Sequence, residues 1–225
     1  MLIGVCGQAG SGKSTVAQFL VKHYGFIEVS FADPMKRFVQ DVFDMTDAQI
    51  WGPSENRNAE DMRYPDPAKP RHGLTPRFAL QTLGTEWGRN CYPQVWVDYA
   101  IRVHARLQEG GYAYDQQRGL YTVSTLMDRR VNPDAMMWPK INVVISDVRF
   151  KNEVGGIREA GGDVFRIVRP GAEGKVGIAG HASESEQQTL TDEMFDGVIL
   201  NNSTLDNLYE IINRVVIPLV QTKQK

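Results

Sequence analysis

The chain has 225 residues, 42% of them hydrophobic and 23% charged, the balance of an ordinary globular protein that can bury a sizeable core. A formal net charge of −2 excludes a general attraction to nucleic acid or to an anionic membrane and leaves room for a local basic site. Two cysteines, Cys6 and Cys91, exclude a disulfide framework or a cysteine metal cluster and fit a reducing cytoplasm.

Leu2 to Cys6 is a short apolar run ended by glycine, which reads as a buried parallel strand and is far too short for a membrane span or a signal peptide. The stretch that follows, GQAGSGKS from Gly7 to Ser14, has two glycines five apart followed by Lys13 and Ser14. That spacing wraps backbone N–H groups around an oligophosphate. Val16, Phe19 and Leu20 at helical spacing predict a helix over Lys13 to Tyr24, which gives the strand, glycine loop and helix that the motif requires. A turn that merely joins two elements would explain the glycines and leave the Lys–Ser pair unexplained.

Glu28 to Phe31 can form a second strand, and Asp33 caps a helix whose first position is Pro34 and which runs through MKRFVQDVF. Residues from about 45 to 74 read as a long irregular excursion rich in proline and charge, in which Arg57, Arg63, Lys69, Arg71 and His72 could face an anion or simply solvent. Thr75 caps a helix that starts at Pro76 and runs to about Arg89. A second helix spans Pro93 to Leu107, and most of the apolar residues of the two, Phe78, Leu80, Leu83 and Trp87 on the first and Val95, Val97, Ile101 and Val103 on the second, are expected in the core. Residues from about 110 to 140 read as an inserted hairpin or lid.

Ile141 to Ile145 is the next buried strand and leads into SDVRF. A helix from about Lys151 to Ala160, strands Asp163 to Val168 and Gly197 to Leu200, and a closing helix from Thr204 to about Val216 complete the alternation. Strands that alternate with helices predict an α/β fold, one parallel sheet between two helix layers, in a single domain over 1–225.

Ligands of such sheets gather beyond the carboxyl ends of the strands. In the loop, Lys13 would neutralise the beta and gamma phosphates, Ser14 would offer its hydroxyl to magnesium, and the amides of Gly10, Ser11, Gly12, Lys13, Ser14 and Thr15 would face phosphate oxygens. Asp147 and Arg149, two apart in an extended segment, share one face, so that the carboxylate lies near the loop and the guanidinium can hold a phosphate. A helix cap for Asp147 and a salt bridge for Arg149 are the plainer alternatives. Arg77, Gln81 and Thr85 share a polar helix face, Gly84 permits a close approach, and Trp96 either stacks a base or packs in the core.

GQAGSGKS, DPMK, PRFALQTLGTEWGRN with WVDYAIR, VVISDVRFKNE, VFRIVRPG, HASE and DGVILNNSTLDNL occur here in one order. Together they resemble the phage deoxynucleoside monophosphate kinases over most of the chain, with poor matches at Met45 to about Leu74 and at Gly110 to Lys140. The resemblance implies the three-layer sandwich of P-loop NTPases and transfer of the ATP gamma phosphate to a deoxynucleoside monophosphate, with Mg2+. It places Lys36, Arg77, Gly84, Thr85, Trp96, Asp147, Arg149 and Glu153 around the monophosphate, Arg166 or Arg169 near the donor nucleotide, and Ser14 with Asp147 at the metal. Lys13, Asp147 and Arg149 would carry the catalysis. It further implies small-molecule partners, neither nucleic acid nor membrane, and a host-cell cytoplasm, and it leaves a homodimer open.

Some members of that family carry basic residues in the glycine loop where this chain has Gln8, Ala9 and Gly10, so a further positive charge would come from elsewhere, such as Arg129 and Arg130. His181 and Glu184 are family features without a physical role of their own. Two other readings stand beside the first: another small-molecule kinase, of the dephospho-coenzyme A or phosphomevalonate type, and a non-catalytic nucleotide-gated module.

Overall fold

The computed structural model describes residues 1–123, 140–171 and 189–219, so Arg129, Arg130, His181 and Glu184 lie outside the described residues. In chain order the elements are β1 (Leu2–Cys6), α1 (Lys13–Tyr24), β2 (Ile27–Val29), α2 (Asp33–Val42), α3 (Asp47–Ile50), α4 (Ser54–Asn58), β3 (Asp61–Asp66), β4 (Lys69–Leu74) and α5 (Pro76–Gln81). A π-helical segment (Thr82–Arg89) continues α5, and α6 (Val95–Glu109), β5 (Tyr112–Asp115), β6 (Gly119–Thr122) and β7 (Val143–Val148) follow. The chain then runs through α7 (Lys151–Glu159), β8 (Asp163–Val168), a 3-10 turn (Asp192–Met194), β9 (Gly197–Leu200) and α8 (Leu205–Val215). It gathers into two compact units, Met1–Phe31 with Val97–Tyr114 and Leu120–Lys225, and Ala32–Trp96 with Asp115–Gly119.

The first unit holds a five-stranded sheet in the order β2-β7-β1-β8-β9, with every pair parallel. All of β1 is buried, as LIGVC requires of a central strand covered on both faces. Ile3 and Val5 point into a core with Val16, Ala17 and Leu20 of α1 and Leu208 and Ile212 of α8. Gly4 faces the other way, where a Cβ would stand 2.7 Å from Ile157 Cδ1 of α7. The observed helix α1 and strands β8 and β9 have the expected bounds. The seventh strand is displaced, running over Val143–Val148 rather than 141–145, so Asp147 belongs to the strand itself. The second strand is likewise Ile27–Val29 rather than 28–31.

The second unit corrects the reading of the excursion as irregular. Thr46 and Gln49 cap α3 reciprocally, and β3 and β4 form an antiparallel hairpin whose register slips around Pro65. Three of the five basic residues for which anion and solvent were both open have local partners: Arg57 donates to Gly52 O at 2.8 Å, Arg63 pairs with Asp61 at 2.7 Å, and His72 meets Glu60 at 2.9 Å. Asp33 is the first residue of α2, with Ala32 at the cap position, rather than the cap itself. Thr75 does cap α5, its hydroxyl oxygen accepting the Phe78 N–H at 3.2 Å.

The helix expected to run unbroken to Arg89 changes register at Thr82. The widened turn takes Trp87 off the α-helical stripe of Leu80 and Leu83 and leaves it 57% exposed, and Phe78, on the regular turn of α5 before it, is 62% exposed. Val39, Met45, Ile50 and Ala79 form this unit's own core, with Leu80 and Leu83 packed on it. No helix among the described residues is long and apolar enough to cross a membrane.

In the first unit, His104 of α6 buries Nε2 without a partner among the described residues. Burial, followed by the positive amino terminus, lowers its pKa from the ordinary 6.5 to about 4. The unfolded chain therefore takes up this proton first, and stability present above pH 6.5 is lost as pH falls toward 4. His104→Gln should flatten that part of the stability curve, by at most about 1.4 kcal/mol per pH unit, in urea titrations between pH 4 and 7. An unchanged slope in the variant would contradict this origin.

Candidate functional site

The glycine loop leaves the end of β1, and its geometry explains its composition. Gly7 has φ 147°, and a Cβ there would lie 2.4 Å from Ile167 O of β8. Gly12, at the start of α1, has φ 105°, and a Cβ there would lie 2.6 Å from Nδ2 of Asn201. Any larger residue would be both strained and obstructed. Gly10, also at positive φ, is exposed, Ser11 is buried, Thr15 is half-buried and Ser14 is exposed on the first turn of α1. The N–H groups that open α1 have no intrahelical acceptor, and with the helix dipole they favour an anion there.

Lys13 folds back over the loop and donates 2.7 Å hydrogen bonds to Gly7 O and Gln8 O. Burial, and after it the positive charge of Arg149, lowers its pKa from 10.5 to about 8. Arg149 is exposed just beyond β7. Asp147, half-buried near the end of that strand, accepts the Phe31 N–H at 2.9 Å and the Ser30 hydroxyl, which ties β7 to the end of β2. Glu153, 2% exposed in the first turn of α7, accepts the backbone N–H groups of Arg149 at 2.7 Å and Phe150 at 3.0 Å. The structure thus groups Lys13, Asp147, Arg149 and Glu153 in the first unit, where Glu153 shapes the backbone that carries Arg149. Arg169 is exposed beyond β8, whereas Arg166 is held by Asp192 at 2.8 Å and Leu190 O at 3.0 Å.

Lys36, Arg77, Gly84, Thr85 and Trp96 belong to the second unit. The Lys36 ammonium lies 4.6 Å from the centre of the Trp51 ring and 3.9 Å from Asp33. Arg77 donates to Asn58 and to Ser54 Oγ, both on α4. Gly84 packs on Met35 of α2, where a Cβ would stand 2.8 Å from the sulfur. Thr85 is half-buried in the π-helical segment, whose register breaks the α-helical spacing expected of Arg77, Gln81 and Thr85. The Trp96 indole is 8% exposed, packs on Gly88 and donates a 2.9 Å hydrogen bond to Gly84 O. Its surroundings are those of a core residue that supports the π-helical segment.

Sequence reasoning passed over Ser30, Trp51 and Asn201. Asn201 Nδ2 donates to Ser11 O at 2.8 Å, and the signal for it was its place one residue past β9, at the carboxyl edge of the sheet.

A parallel strand that delivers three left-handed glycines to a helix N-terminus, under a lysine that closes the loop, is the construction of a P-loop phosphotransferase. No family model matches the chain. A protein of Acanthamoeba polyphaga mimivirus named as a deoxynucleotide monophosphate kinase is 36% identical over 215 residues, 94% of each chain. The chain belongs to the deoxynucleotide monophosphate kinase family. Solved structures align more loosely. A sugar kinase from Janibacter sp. matches at TM-score 0.43 and 14% identity, covering 96% of this chain and 93% of its own, and a shikimate kinase from Acinetobacter baumannii matches at 0.41 and 12%, with the same coverage.

Two outcomes test this geometry. A bound phosphate favours charged Lys13, so binding takes up a proton wherever the lysine starts neutral. ADP affinity should hold below pH 8 and fall as pH rises through it, by up to about tenfold per unit, and Arg149→Ala should move the break upward by removing one depressing charge. Calorimetric titrations between pH 7.5 and 10 measure it, and a flat profile would contradict the assignment. Trp96→Phe deprives the Gly84 carbonyl of its buried donor and should cost about 1–3 kcal/mol in denaturant unfolding.

Proposed function

We propose that the protein transfers the gamma phosphoryl group of ATP to the 5′-phosphate of a deoxynucleoside monophosphate, giving ADP and the deoxynucleoside diphosphate. A terminal oxygen of the acceptor phosphate forms the new P–O bond, and the bond between the gamma phosphorus and the bridging oxygen breaks, leaving the electron pair on ADP. An anionic acceptor needs no strong general base, so positioning and charge neutralisation do the work. The observation that carries the reading is the Lys13-closed glycine loop in a chain 36% identical along 94% of its length to a protein with that name.

In this reading the amides from Gly10 to Thr15 and Lys13 hold the donor phosphates, and Arg169 lies toward the donor nucleotide. Arg149 bridges to the transferring group, and Lys36 and Arg77 receive the monophosphate. Glu153 and Trp96 act through Arg149 and Gly84, because both are buried on backbone groups. Gly84 and Thr85 line the acceptor side.

The described residues contain no cluster of three or more His, Cys, Asp or Glu that could cage a metal. The Ser14 hydroxyl and Asp147 carboxylate are hard oxygen donors of the kind that hold Mg2+ together with substrate phosphates and water, and the ion would neutralise charge on the beta and gamma phosphates. A cytoplasmic setting, where ATP and nucleotide pools lie, goes with the reading.

The test is ADP production from ATP and Mg2+ with dTMP, dGMP, dCMP or dAMP, beside dephospho-coenzyme A and a no-acceptor control. Turnover should depend on a deoxynucleotide and fall at least about a hundredfold in Lys13→Ala and Arg149→Ala. Equal slow ADP release with and without every acceptor would overturn the reading.

A further inference from the structure

The peptide between Ser11 and Gly12 carries a problem that the loop motif does not solve. Glycine at φ 105° lets the backbone approach Asn201 closely, but glycine also rotates freely, so this peptide plane can turn over at little cost. The peptide is trans, so its C=O and N–H point in opposite directions. Turned over, it would aim a carbonyl oxygen where an anion-binding amide belongs.

Asn201 supplies the missing restraint. Its Nδ2 donates to Ser11 O at 2.8 Å, part-buried, across 190 residues of sequence. The asparagine is itself fixed, because its backbone N–H donates to Val168 O of β8 at 2.7 Å and it follows β9 directly. Close contact with Gly12 leaves the side chain no room beside anything larger than glycine. With the carbonyl held on one side, the Gly12 N–H is committed to the other.

We propose that Asn201 is a positioning residue that locks the Ser11–Gly12 peptide so that the Gly12 N–H meets a nucleotide phosphate. The edge strand β9 thereby sets the phosphate affinity of a loop that grows from the central strand. The inference rests on the loop's holding an oligophosphate and is independent of which acceptor receives it.

Asn201→Leu keeps the volume and removes the donor without adding charge, and Asn201→Ala removes it without adding bulk. Calorimetry with ADP and with inorganic tripolyphosphate reads the loop apart from any acceptor. Both variants should bind both ligands about five- to twentyfold more weakly, with thermal midpoints near that of the parent and with the KM for the deoxynucleotide within about twofold. Tripolyphosphate binding at parental strength would overturn the proposal, whether or not ADP weakens, since the asparagine would then act on the nucleoside or on nothing. An equal rise in both substrates' KM would overturn it too, as the mark of general loosening. Should the leucine fail to fold, the alanine decides alone. Failure of the kinase reading would leave the tripolyphosphate result intact.

Discussion

The donor half of the molecule depends on a lack of space at the end of β1. The sheet order places this strand at its centre, with β7 on one side and β8 then β9 on the other. The loop that leaves it is pressed against Ile167 O and Asn201, with room for neither a Cβ at Gly7 nor one at Gly12. Backbone without side chains can be packed this closely, and only such backbone can wrap its N–H groups around an oligophosphate. Because the sheet is parallel, its other strands bring their carboxyl ends to the same edge, Asp147 and Arg149 at the end of β7 and Asn201 one residue past β9. An antiparallel neighbour would present the opposite end of its chain.

The same crowding sets the charge of the site. Lys13 is drawn down among loop carbonyls, where the Arg149 charge opposes its ammonium and the Asp147 charge supports it. Gly7 O and Gln8 O each accept a hydrogen bond from the ammonium. A ligand must replace two hydrogen bonds, each worth about 1 kcal/mol net. A di- or triphosphate offers several formal charges to two cations and overcomes that cost, whereas a weakly charged ligand gains little. The lowered pKa of Lys13 comes first from burial and then from the Arg149 charge, so a bound polyanion that favours the charged ammonium works against both.

The parts of this design that are local were legible in the sequence. The loop motif, the bounds of α1, β8 and β9, and the Thr75 cap all follow from residues within a few positions of one another. The hairpin of the excursion was not, because Pro65, Pro67 and Pro70 interrupt the strand alternation and its pairing slips around Pro65. The π-helical segment was not, because its support comes from the Trp96 indole reaching back to Gly84 O, and the register change then exposes Trp87 where α-helical spacing buries it. The resemblance alone points to Glu153, and its hydrogen bonds to the backbone N–H groups of Arg149 and Phe150 depend on how the chain turns from β7 into α7. Asn201 lies 190 positions from the carbonyl it holds, a pairing that no local pattern expresses.

The excursion then has a physical purpose beyond filling space. Lysine and arginine side chains each lose about 2 kcal/mol of rotamer freedom when they are fixed on a ligand. In the second unit that loss is partly met before any ligand arrives. The Trp51 ring lies against the Lys36 ammonium and is itself held by Gln40 through a 2.8 Å hydrogen bond. Arg77 is held by Ser54 and Asn58, both from the short helix that follows Trp51. Both cations proposed for the monophosphate are thus oriented by residues of a stretch whose resemblance to the family is poor. Preorganisation of this kind lowers the cost of binding an anion without adding a contact to it. Substitutions at Trp51, Ser54 or Asn58 would change how these two cations are held without touching the glycine loop or Lys13.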